Sequence, residues 1–162
     1  MISKIITIGV YGFTEQRFFQ ALQDTHIDTF CDLRARRGLR GSEYPFANSA
    51  RLQQHLAELH IRYIHLKQLA PSEEIRQLQR QADKQAKIAK RKRGGMSEGF
   101  RVAYQQGFLN TLDAKDSLKQ VGSEAKVLGL FCVEREPEAC HRSLVAAWFA
   151  QELGVHVEHI TP

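Results

Sequence analysis

The stretch LFCVEREPEACHRSLVAAW sets Cys140, His141 and Arg142 side by side, eight residues after Cys132 and six after Glu134. A thiol flanked by an imidazole and a guanidinium has its thiolate favoured, so Cys140 is a candidate nucleophile with His141 as its neighbour. Glu134 is a candidate general acid or base. The apolar run Val127 to Val133 reads as a strand covered on both faces. Leu144, Val145, Trp148, Phe149 and Leu153 recur at helical spacing after the polar turn, which places Cys140, His141 and Arg142 in a first helical turn. There Arg142 would add forked donors to unpaired helix N–H groups, a setting for phosphate or carboxylate.

A second arginine source is the loop DLRARRGLRGSEYPF, with Asp32, Arg34 and Arg37 at its start and Gly38 and Gly41 permitting close backbone approach. Arg34, Arg37 and Arg142, with Asp32 and Tyr11, form the candidate anion-binding set. The structural alternative is that these arginines pair with Asp32, Glu43 and Glu134 as a network. For Cys140 the alternative is a small buried hydrophobe, and Cys132 and Cys31 read as core. A metal reading would join Cys132, Cys140, His141 and either His65 or Cys31. That spacing lacks a tight pair, so neither metal nor cofactor is expected. The phosphate-binding G-x-x-x-x-G-K-[ST], dinucleotide G-x-G-x-x-G and G-x-S-x-G patterns are absent. Cys140 is not followed six residues later by arginine, since that position is Ala146.

These groups need a scaffold. Ile5 to Val10, Ile27 to Leu33, Ile61 to Leu66, Val127 to Val133 and Val155 to Ile160 read as strands. Thr14 and Ser49 read as caps of helices carrying Phe18, Phe19 and Leu22, and Leu52, Leu56 and Leu59. The alternation predicts a single α/β domain over 1–162, a three-layer sandwich with a largely parallel sheet of about five strands. In such sheets ligands bind beyond the carboxyl ends of the strands, where Tyr11, Asp32, Arg34, His65 and Glu134 all fall.

Residues 71–93, PSEEIRQLQRQADKQAKIAKRKR, predict a polar helix ending in a basic run before a Gly-Gly break. Ser97 then caps a helix bearing Phe100, Tyr104 and Phe108, so residues 71–112 form a helical insertion. Lys87, Lys90, Arg91, Lys92 and Arg93 would attract a polyanion such as nucleic acid, but no aromatic residues interleave with them to stack bases. The bland alternative is a solvated helix face.

With 162 residues the chain can bury a core without disulfides or metals. A net charge of +5 favours anionic partners. Three cysteines, no secretory N-terminus and no bilayer-length apolar run predict a soluble cytoplasmic protein with free thiols and no membrane partner, its oligomeric state open.

TIGVYGFTEQRFFQAL, DTFCDLRARRGLRGSEYPF, LAELHIRYIHL, LFCVEREPEACHRSLVAAW and GVHVEHI together resemble the domain-of-unknown-function 488 family across nearly the whole chain. The resemblance implies an α/β domain without an established reaction, with Asp32, Arg34, Glu134, Cys140, His141 and Arg142 as motif positions. Val10 and Tyr11 stand where many members have histidine and serine, and LKQLAPSEEIR replaces a common leucine-glycine-glycine, so substrate identity need not transfer.

The expected function is an enzyme binding a phosphate-bearing or other anionic small molecule, using Cys140 or Glu134. One alternative is a nucleic-acid module using the basic hairpin. The other is a protein-interaction module anchored by Tyr44, Pro45 and Phe46.

Overall fold

A computed structural model describes residues 1–162. Its five strands are β1 (Lys4–Gly9), β2 (Thr29–Asp32), β3 (Arg62–His65), β4 (Val127–Cys132) and β5 (His156–Ile160). They form one parallel sheet in the order β3-β2-β4-β1-β5, with Gly9 level with Cys132 and Asp32 level with Phe131. The α-helices are α1 (Glu15–Asp24), α2 (Ser49–Glu58), α3 (Glu73–Ala86), α4 (Glu98–Gln105), α5 (Ala114–Val121) and α6 (Arg142–Leu153).

Alternate residues of the central strands feed two cores, as the period of a strand requires. Ile6, Ile8, Phe30 and Phe131 pack with α1 and α2 through Phe18, Leu22, Leu52 and Leu56. On the other face Ile5, Leu128 and Leu130 meet Tyr104, Val145 and Phe149 of α4 and α6. The chain therefore leaves β1 toward one face and the adjacent β4 toward the other. Such a divergence opens a crevice beyond the strand ends, and the α/β sandwich read from the sequence is the fold observed. No helix is long and apolar enough to cross a membrane.

Three local features differ from the sequence expectations. Ser49 is the first residue of α2 rather than its cap; Asn48 holds the cap position, and its Oδ1 accepts from the Leu39 N–H at 2.7 Å. The polar helix of residues 71–93 stops at Ala86, where Lys87 turns left-handed with φ 55°. A 3-10 turn at Lys90–Lys92 then folds Arg93 back on Asp83, its guanidinium donating to both carboxylate oxygens. The carboxylate fixes the basic run as a reversal, so it does not continue as a helix. Finally, α5 had no counterpart in the sequence reading. It buries only Ala114, Ser117 and Val121, too weak an apolar stripe to stand out, and starts where Asp113 accepts from the Lys115 N–H.

Candidate active site

The end of β4 and the turn before α6 are joined by main-chain contacts. A Cβ on Gly9 would sit 1.8 Å from the Glu134 carbonyl oxygen, so only glycine lets that carbonyl approach β1. The same oxygen accepts from Arg142 at 2.5 Å, and the Arg135 carbonyl accepts from the other terminal nitrogen at 3.0 Å. Arg142 is fully buried. Its guanidinium therefore pins the 134–135 turn and does not line the cavity described below, contrary to the expectation of an anion clamp.

Cys140 is also placed differently. It follows a 3-10 turn at Pro137–Ala139 with extended φ −134° and ψ 139°, His141 holds the cap position, and α6 begins at Arg142. Cys140 thus lies ahead of the helix rather than in its first turn. Its sulfur is 3.8 Å from His141 Nδ1, and Cys132 Sγ is 4.0 Å from the same nitrogen. The structure brings Cys132, read as core, into one buried cluster with the two candidate residues. His141 Nε2 lies 3.3 Å from the Leu33 carbonyl oxygen. Neither His65, whose ring bonds the Arg34 carbonyl at 2.7 Å, nor Cys31, sealed in the core, joins the cluster.

Burial opposes ionisation of Cys140, yet contact with Cys132 and with the His141 imidazole, and the Arg142 charge, hold its thiol well below the ordinary value. The contact with Cys140 and burial push Cys132 the other way. Burial raises Glu134 to about 7, with the Cys140 charge acting in the same direction. Glu134 Oε1 lies 3.5 Å from Arg93 and 3.8 Å from Lys90, while Oε2 is buried without a partner.

A cavity of about 360 Å³ opens over these groups, with Cys132, Glu134, Cys140 and His141 among its lining. The rest of its polar lining is Arg34, Arg36 and Arg40 from the loop after β2, Arg76, Gln79 and Arg80 from α3, and Lys90 and Arg93 from the turn after α3. No carboxylate lies within ion-pair distance of Arg36 or Arg40. Arg76 pairs with Glu73 at 3.6 Å, but its Nε is buried with no acceptor. Gln79 is buried, accepting from the Ser97 N–H at 2.8 Å and donating to Asp83, which ties α3 to α4.

Other expected site residues have structural partners. Arg34 is 3% exposed and grips both oxygens of Asp32 at 2.9 and 2.8 Å, with a third bond to the Ala47 carbonyl. Asp32 also accepts from the Tyr63 hydroxyl at 2.8 Å. Arg37 reaches Tyr63 at 3.4 Å and stands outside the cavity. Tyr11 packs against Tyr44 with ring centroids 5.5 Å apart, and Arg91 lies 5.2 Å over its ring while pairing with Glu43. Lys87 and Lys92 are exposed. The sequence reading did not single out Arg40, Arg76 or Arg80, and it joined Cys132 to Cys140 and His141 only in its metal alternative. Arg76, Gln79 and Arg80 share a helix face by their spacing of three and four, a signal present in the sequence.

No curated protein and no solved structure matches the chain. Residues 14–149 match the family described as Domain of unknown function DUF488, a span containing the whole of the cavity lining and the Cys132–Cys140–His141 cluster, and the chain belongs to that family.

Proposed function

We propose that the protein is an enzyme acting on a phosphate-bearing or other anionic small molecule bound in the cavity beyond β4. The observation that carries this reading is the buried, acceptor-less Nε of Arg76 on a side chain that lines the cavity together with Arg36 and Arg40, which have no carboxylate partners. A buried donor left unpaired costs about 1–3 kcal/mol, and an anion in the cavity would recover it through charge-assisted bonds. The reacting part of the substrate would then meet the floor of Glu134, Cys140 and His141. Glu134 is the carboxylate placed to exchange a proton with it, because one oxygen has no other partner.

The nucleic-acid alternative has less support. Arg91 and Arg93 are held by Glu43 and Asp83, leaving no continuous basic helix for a phosphate backbone.

Calorimetric titration with inorganic phosphate tests the proposal. Saturable binding that weakens about tenfold or more in Arg40→Ala, with the fold retained by circular dichroism, is expected. Absence of binding, or binding indifferent to Arg40, would overturn it.

A further inference from the structure

From the cluster at the cavity floor we infer that Cys132, Cys140 and His141 bind a thiophilic divalent transition-metal ion of the zinc type. The three donor atoms lie within 4.8 Å of one another, and the two sulfur-to-nitrogen distances are 3.8 and 4.0 Å. Metal–sulfur bonds of about 2.3 Å and metal–nitrogen bonds of about 2.0–2.1 Å at tetrahedral angles separate the donors by roughly 3.5–3.8 Å. The two sulfur-to-nitrogen edges exceed those values by a few tenths of an ångström, which small rotations about the cysteine Cα–Cβ bonds would close. As hydrogen bonds, by contrast, contacts of 3.8 and 4.0 Å are long.

The imidazole is set for coordination. His141 Nε2 lies 3.3 Å from the Leu33 carbonyl oxygen, which can only accept a hydrogen bond; with the hydrogen on Nε2, a neutral ring would turn its Nδ1 lone pair to a metal held by the sulfurs. That backbone partner is the outer support metal-bound histidines use to fix tautomer and ring plane.

A second and independent observation is Glu134, 7% exposed, lining the same cavity with Oε2 unpartnered. It stands two residues beyond Cys132, outside the three-donor cluster, and would face a water or ligand oxygen held at the fourth position. Two cysteines and one histidine with a fourth position open to a cavity match the donor pattern of catalytic rather than structural zinc sites. The proposed anion would place an oxygen at that fourth position. This last step rests on the anion-pocket reading, whereas the three-ligand site does not.

The test uses the full chain purified reduced and metal-free, titrated with Co²⁺ and then displaced by Zn²⁺. One equivalent of Co²⁺ should give the intense visible bands of tetrahedral cobalt with a thiolate charge-transfer band, bleached by one equivalent of Zn²⁺. Cys140→Ser, Cys132→Ser and His141→Asn should each lower affinity at least about 100-fold, with Cys31→Ser unchanged. His141→Asn guards against a cysteine variant that fails to fold, and circular dichroism checks each. Weak octahedral cobalt spectra, or tetrahedral spectra that persist in Cys140→Ser, would overturn the site. Arg40→Ala separates the two proposals: loss of phosphate binding with the cobalt spectrum intact leaves the metal site standing, and a lost cobalt spectrum in a folded protein contradicts its independence.

Discussion

The fully buried guanidinium of Arg142 is bonded to the main-chain carbonyl of Glu134, at a point where β1 has glycine and nothing larger fits. An arginine that the sequence offers as a substrate clamp instead holds the turn that carries the site.

Arg142→Ala should therefore destabilise the fold by about 3–5 kcal/mol, because it leaves two carbonyls without donors and opens a cavity beside α6. Arg142→Lys should recover only part, since one ammonium cannot reproduce a fork donating to the Glu134 and Arg135 carbonyls. Urea unfolding midpoints measure both. A loss below about 1 kcal/mol would return Arg142 to the list of ligand-binding candidates.

Gly9→Ala should cost about 3 kcal/mol or more, or abolish folding. Its Cβ would fall 1.8 Å from a backbone oxygen that cannot swing aside as a side chain would. Gly94→Ala, with open space around its Cβ, is the control and should be near neutral.

The residues that differ from expectation explain how much was legible beforehand. Strand and helix periodicity in the apolar runs gives the sheet and its helices, because Ile5 to Ile8 and Leu128 to Phe131 can satisfy both faces only inside a sandwich. Asp32, Arg34 and Glu134 lie at or just beyond the carboxyl ends of β2 and β4, where the strand-end rule puts them. What periodicity cannot reveal is where a long side chain spends its donors: Arg34 on Asp32, Arg142 on carbonyls. The arginines left over come partly from α3, where Arg76 precedes Cys140 by 64 positions, and only the tertiary fold brings Arg76 to the cavity. For Cys132 the sequence leaves core and ligand readings side by side, because a cysteine in an apolar strand looks like core until its neighbour across the turn is placed.

The reversal after α3 gives a pH dependence. Burial acts to raise the Asp83 carboxyl, but the bonds from Arg93 and Gln79 outweigh it and hold the group below its usual value. A depressed folded-state value means the contribution is fully present above the unfolded value of about 3.9 and lost as pH falls through the folded one. Asp83→Asn should flatten that acid-side decline of stability and loosen the basic turn, read by urea melts at pH 3 to 6 (about one unit apart) and by proteolysis near Lys90. An unchanged acid limb would show that Asp83 does not hold Arg93.

Lys87→Ala with Lys92→Ala should leave phosphate affinity within about twofold, because both side chains are exposed and outside the cavity lining. Arg36→Ala should weaken it about tenfold. The opposite ranking, accompanied by a steep salt dependence of oligonucleotide binding, would favour the nucleic-acid module.

The most direct measurement is a crystal structure after soaking with inorganic phosphate. Density is predicted inside the cavity, within hydrogen-bond distance of Arg76 Nε and of Arg36 or Arg40, on the side of Glu134 and Cys140. A cavity left empty at saturating phosphate, or density confined to the outer lysines at 87 and 92, would contradict the account.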